Sequence, residues 1–153
     1  MTFIENIARA IAIKGKKVLL ARQIGAFNTF LPGGHIEYGE TADEALDREM
    51  LEELGLKGTA GDFLFTIENI FFAAKGNKNH EFAVYFRYMF AGSLKERDFV
   101  SKEPHLEFLW ADLKDLKKLN LKPDILPDLI NKINSKKSVK SFYSVADTSP
   151  CPK

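Results

Sequence analysis

The chain is 153 residues long, 45% hydrophobic and 28% charged, which is the size and balance of one soluble globular domain. Its 22 basic and 21 acidic residues leave a net charge of +1, so nothing electrostatic points to nucleic acid or an anionic membrane as a partner. Glu5 and Arg9 break the only early apolar stretch, no run reaches the ~18 apolar residues of a membrane span, and the lone Cys151 has no intramolecular partner; a cytoplasmic protein is expected.

Ile7 to Ile13 is apolar with β-branched residues at alternate positions, and Lys14-Gly15-Lys16 separates it from Val18 to Ala21. That pattern predicts a strand, a tight turn and a second strand. Pro32-Gly33-Gly34 breaks the chain, and a short strand from His35 to Tyr38 is expected to lead into a helix. Thr41 with Glu44 three residues on forms a capping box, and Gly55 is a stop signal, so the helix should span 41 to 54. Phe63 to Phe72 and Glu81 to Phe90 read as a long hairpin around Lys75 to Asn79. Leu106 to Trp110 predicts a last strand, followed by amphipathic helices over Asp112 to Leu119 and Asp124 to Ile133. From residue 135 to 153 the composition turns polar and Lys/Ser-rich, which predicts a flexible tail behind a domain of residues 1 to 134. Strands interleaved with helices give an α/β class, a mixed sheet with helices on both sides.

The acids are unevenly spread: eight of the 21 fall between Glu37 and Glu53. At about 100° per residue, Glu49, Glu52 and Glu53 share one helix face, while Leu46, Met50 and Leu54 form an apolar stripe beside it. Arg48 offsets part of the repulsion, and no lysine is interleaved. A divalent cation would turn that repulsion into binding, and oxygen-only ligands favour Mg²⁺ or Mn²⁺ over zinc. The glycine turn before the helix lets main chain approach the carboxylates, and Gly34 could lend its carbonyl to the same ion. A charged face solvated by water is the competing explanation of the glutamates taken alone.

Gly34, five residues, Glu40, seven residues, then Arg48-Glu49-Met50-Leu51-Glu52-Glu53-Leu54-Gly55-Leu56 resembles the complete box of the Nudix family, G-x5-E-x7-R-E-U-x-E-E-x-G-U, with U aliphatic. The lead-in Phe30 to Glu37, the pair Glu68-Asn69-Ile70-Phe71 and His80-Glu81-Phe82, and Trp110 with Asp112, Leu113 and Leu116 are similar to other parts of that family. Residues 4 to 133 fall under the likeness. It implies a Nudix-type α/β/α sandwich with a central mixed β-sheet. It further implies Mg²⁺-dependent cleavage, with Mn²⁺ a substitute, of the diphosphate linkage in a small nucleoside diphosphate derivative: a nucleoside triphosphate, nucleotide sugar, ADP-ribose or dinucleoside polyphosphate. Glu49 and Glu53 would be direct metal ligands, Glu52 a ligand or water-holder, and the Gly34 carbonyl would complete the set. Glu40 would orient the metal site or bind through water, and Arg48 would pin the glutamates.

The box leaves the general base open. Glu52 and Glu53 are candidates, as is Glu81 at the head of an apolar strand, with Glu68 and Glu107 after it. Gly33, His35 and Phe30 are candidates for touching substrate. A capped RNA end is a further substrate possibility, to which the near-neutral charge lends little support. A non-catalytic nucleotide-binding sensor is the alternative of a different class, although such modules usually lose box glutamates. Homodimerisation is common among members, so it is possible here.

Overall fold

Strand β1 (Ile4–Ile11) feeds two separate cores from its two faces. The computed structural model describes residues 3–72, 76–92 and 100–146. Along β1, Ile7 and Ile11 point into one apolar cluster and Ala8 and Ala10 into the other, as a two-residue period dictates. The remaining elements are β2 (Ile13–Lys14), β3 (Lys17–Gln23), β4 (Gly33–His35), α1 (Ala42–Leu54), β5 (Gly58–Phe72), β6 (Lys78–Phe90), β7 (Leu106–Asp112), α2 (Leu126–Asn134) and β8 (Phe142–Ala146).

Five strands form a sheet in the order β4-β1-β6-β5-β8. It is mixed: β1 runs parallel to β6 and β8 parallel to β5, while β4 and the β5–β6 hairpin pair antiparallel. A second, three-stranded antiparallel sheet has the order β2-β3-β7, and Arg22 stands opposite Glu107 in its register with the side chains joined at 2.6 Å. Helix α1 covers one face of the larger sheet, laying Ala45, Leu46, Met50 and Leu54 on Ala8, Ala10, Ala12, Leu19 and Tyr88. Each of the large apolar side chains contributes about 1.5–3 kcal/mol by leaving water. Helix α2 closes the other face through Leu126, Leu129, Ile130 and Ile133, above Ile7, Phe65, Ile67 and Tyr85. Phe65 and Tyr85 stack with centroids 4.8 Å apart at the centre of that layer. The result is the expected α/β/α arrangement around a mixed sheet. Among the described residues no helix is long and apolar enough to cross a membrane.

Three local expectations change. The strand predicted from His35 to Tyr38 is shifted to Gly33–His35, because β1 pairs with the glycines themselves, and the chain turns at Tyr38-Gly39. The helix predicted over Asp112 to Leu119 is only a 3-10 turn, Leu113–Asp115, followed by turns. Leu113 and Leu116 still face the core, so the periodicity reported burial without a continuous helix. Within the polar segment beyond residue 134, Phe142–Ala146 is β8 rather than loose chain, with Tyr143 and Val145 packed on the α2-side core. Lys75 of the expected hairpin turn, and Cys151, lie outside the described residues.

Candidate active site

The turn Leu31-Pro32-Gly33-Gly34 is laced to β1. Ala10 donates to the Pro32 carbonyl at 2.9 Å and Ile36 to the Asn6 carbonyl at 2.9 Å. Gly33 has φ +131°, and a Cβ there would overlap the Ala8 carbonyl oxygen, so only glycine fits. At Gly34 a Cβ would overlap the carboxyl group of Glu49. The glycines therefore open the space that α1's carboxylates enter.

Helix α1 begins as its sequence requires. The Thr41 amide donates to Glu44 Oε2 at 2.9 Å, and Gly55, at φ 66°, ends the helix with its amide bonded to the Leu51 carbonyl at 2.8 Å. Of the face shared by Glu49, Glu52 and Glu53, the three members differ sharply in exposure. Glu53 is 7% exposed and accepts the Gly33 amide at 3.4 Å. The side chain of Glu49 is largely covered beside Gly34, whereas Glu52 is more than half exposed.

Arg48 ties the set together. Its Nη2 donates to Glu40 Oε1 at 2.7 Å and to the His35 carbonyl at 3.0 Å, its Nε to Glu40 Oε2 at 3.1 Å, and its Nη1 to Glu49 and Glu52 at 3.2 Å each. Glu40 also accepts the Glu37 amide at 2.7 Å, so both of its oxygens are engaged. The Arg48 hydrogen bond, and then that amide, hold the Glu40 carboxyl below the usual carboxylate range.

Burial pushes Glu53 up to about 7; Arg9 works against that shift, while the charges of Glu49 and Glu103 add to it. Glu103 reaches this neighbourhood because the Lys102 amide bonds the Glu53 carbonyl at 2.7 Å, folding the segment before β7 against the end of α1. It lines an open depression of about 350 Å³ together with Val100, Ser101 and Leu106. Burial likewise raises Glu81, with Arg9 and His35 opposing and Glu5 reinforcing. Glu81 lies inside β6, opposite Glu5 of β1.

Of the residues singled out in the sequence, Gly33, Gly34, His35, Glu40, Arg48, Glu49, Glu52 and Glu53 come together through these contacts. Phe30 joins through Arg9, whose guanidinium carbon lies 5.5 Å from its ring centroid. The imidazole of His35 is exposed and turned to Glu5 at 3.4 Å. Glu68 and Glu107 are engaged elsewhere: Glu68 bonds His80 at 2.9 Å and Ser144 at 3.0 Å, and Glu107 holds Arg22. Arg9 and Glu103 are the neighbours that sequence reasoning missed. A charge at an inward position of β1 was a signal for Arg9; Glu103 left none, because a loop glutamate looks alike wherever the loop goes.

Among the described residues no three carboxylate, imidazole or thiol groups form a finished metal cage. The donor set nevertheless suits a hard dication: two shielded carboxylates, Glu49 and Glu53, stand at a glycine turn where main chain is bare. Burying Glu53 near Glu49 is costly without a compensating positive charge. The fit is through oxygen alone.

The family model for the NUDIX domain matches residues 5–130. Over 67 residues the chain is 36% identical to an RNA pyrophosphohydrolase of Tolumonas auensis, covering 44% of this chain and 38% of that protein. The chain thus spans well under half the length of this curated relative. Its fold is similar to that of a NUDIX hydrolase from Nitrosomonas europaea, with a TM-score of 0.68 at 17% identity over 96% of this chain and 80% of the other. The MutT protein from Bacillus halodurans is also similar, with a TM-score of 0.66 at 16% identity over 94% of this chain and 91% of that one. The chain belongs to the Nudix hydrolase family and has the MutT-like fold.

Proposed function

We propose that the chain is a Mg²⁺-dependent pyrophosphohydrolase that cuts the diphosphate linkage of a nucleoside diphosphate derivative, with Mn²⁺ able to substitute. The observation that carries this reading is the placement of the Glu49 and Glu53 carboxylates against Gly34 and Gly33, inside a complete family box. Glu49 and Glu53, with the Gly34 carbonyl, would hold the dication, and Glu52 would serve as an outer ligand or hold water. A bound dication neutralises diphosphate charge and makes a water molecule more acidic.

The chain's own residues supply the rest. Arg48, fixed by Glu40, keeps Glu49 and Glu52 from drifting apart under their mutual repulsion. Gly33 and Gly34 let the diphosphate lie against main chain. Glu53, whose raised pKa comes from burial, or Glu81 would take the proton of the attacking water, a contribution of about 10²- to 10⁴-fold. Phe30 and His35 flank the turn as substrate contacts. A reducing, cytoplasmic setting and a homodimer belong to the same reading.

The relative named as an RNA pyrophosphohydrolase makes a 5′-triphosphorylated RNA one arm of the test. Purified protein with Mg²⁺ is offered nucleoside triphosphates, nucleotide sugars, ADP-ribose, dinucleoside polyphosphates and that RNA, and released phosphate is measured. Turnover by wild type and its loss in Glu53→Gln are expected. Equal inertness of both across the panel would leave a nucleotide sensor as the better description.

A further inference from the structure

Arg9 occupies an inward slot of β1 between Ile7 and Ile11, which are 2% and 0% exposed. A charge in such a slot is costly unless it is used. Its Nη1 donates to the carbonyls of Leu31 at 3.0 Å and Gly33 at 3.2 Å, and the Phe30 ring lies 5.5 Å from its Cζ. These contacts spend one of its three nitrogens. Among the described residues Nε and Nη2 have no hydrogen-bond partner, and no carboxylate lies within 4.0 Å of the guanidinium. Yet Glu53 and Glu81 are both near enough to feel its charge. The arginine is held off the acids that would otherwise capture it.

The geometry points to Arg9 as a phosphate-binding residue, which takes a substrate phosphoryl oxygen with Nε and Nη2 beside the carboxylates on α1. This deepens the pyrophosphohydrolase reading and rests on it. Gly33 links the two sides: its amide meets Glu53 and its carbonyl meets Arg9. An anion against this glycine therefore has carboxylates, which need a dication to receive it, on one hand and a fixed cation on the other. A planar fork suits phosphate better than a point charge does. The tether to two carbonyls and an aromatic face has already restricted the side chain, so less entropy is lost when the anion arrives.

The test titrates the full chain with inorganic pyrophosphate at saturating Mg²⁺, comparing wild type with Arg9→Lys and Arg9→Gln by calorimetry. Mn²⁺ binding without pyrophosphate is measured in parallel by electron paramagnetic resonance. Arg9→Gln should weaken pyrophosphate binding about tenfold or more, and Arg9→Lys by less, with Mn²⁺ affinity kept within about twofold in both. Pyrophosphate affinity of Arg9→Gln within about twofold of wild type would overturn the assignment. So would a parallel loss of Mn²⁺ and pyrophosphate affinity in both variants, the mark of a residue that only pins the turn. Wild type that binds Mn²⁺ but no pyrophosphate overturns it too. Failure of the parent reading shows separately, as a wild type that hydrolyses nothing in the nucleotide panel.

Discussion

Arg48 and Glu40, eight residues apart in sequence, meet through two parallel hydrogen bonds, Nη2 to Oε1 at 2.7 Å and Nε to Oε2 at 3.1 Å. The fork fixes the plane of the guanidinium, leaving Nη1 for Glu49 and Glu52. Glu40 thus acts on the Glu49 and Glu52 carboxylates through Arg48.

Arg48→Lys keeps the charge but loses the planar fork, and Glu40→Gln keeps the shape but loses the charge. Each should lower metal affinity and kcat/KM by about 10- to 100-fold, the usual effect of removing a partner that orients ligands. Manganese titration and steady-state kinetics check this. Wild-type values in both variants would mean the helix holds its glutamates unaided.

Glu53 makes stability depend on pH in an unusual direction for an acid. Its folded pKa of about 7 stands above the ordinary 4.5, so folded protein keeps a proton that unfolded chain has released. Below 4.5 both states are protonated and no cost exists; the cost grows as pH rises to about 7 and is constant above. At its plateau it is on the order of 3 kcal/mol. In EDTA, Glu53→Gln should therefore melt higher than wild type at pH 8, with the gap closing toward pH 5. Added Mg²⁺ should raise wild type toward the variant at pH 8. A gap that does not change with pH would contradict this account of Glu53.

Gly33 and Gly34 are adjacent and should respond oppositely. Gly33→Ala drives a methyl into the Ala8 carbonyl at a φ of +131°, so it should cost several degrees of melting temperature. Gly34→Ala meets only the end of the Glu49 side chain, which can swing aside. That variant should melt near wild type yet bind Mn²⁺ at least about tenfold more weakly. Calorimetric melting and Mn²⁺ titration separate the two; equal melting losses would remove the distinction.

Strand β8 should be visible in hydrogen exchange. Pairing of Thr66 to Ile70 with Phe142 to Ala146 predicts protection there, in contrast to fast exchange at Ser138 and Val139, which lie outside any helix or strand. Tyr143→Ala, which removes the ring edge-on to Phe65 at 6.0 Å, should cost about 2 kcal/mol. Exchange at β8 as fast as in the preceding segment would mean that the strand does not persist in solution.

Much of this could be read from residues that act locally. Thr41, Glu44 and Gly55 define the ends of α1 because caps are short-range chemistry, and the spacing of Leu46, Met50 and Leu54 finds its buried stripe. Glu49, Glu52 and Glu53 were recognisable for the same reason, one helix carrying all three. What escaped depends on distant partners. β8 has only Tyr143 and Val145 facing inward within a polar stretch, and its pairing partner lies 76 residues away at Glu68–Ser144. Arg9 and Glu53 approach each other only because β1 and α1 converge on Gly33, and Glu103 only because Lys102 bonds the end of the helix.

Ala8, Ala10 and Ala12 carry nothing larger than a methyl group under α1. The height of the helix above the sheet is therefore gauged by main chain, which does not change rotamer. Over that strand its carboxylates inherit a fixed elevation above the glycine turn, while Leu19 and Tyr88 fill the rest of the contact. The same thin floor leaves no room for growth, so variation in what this molecule accepts has to come from the rims of the sheet.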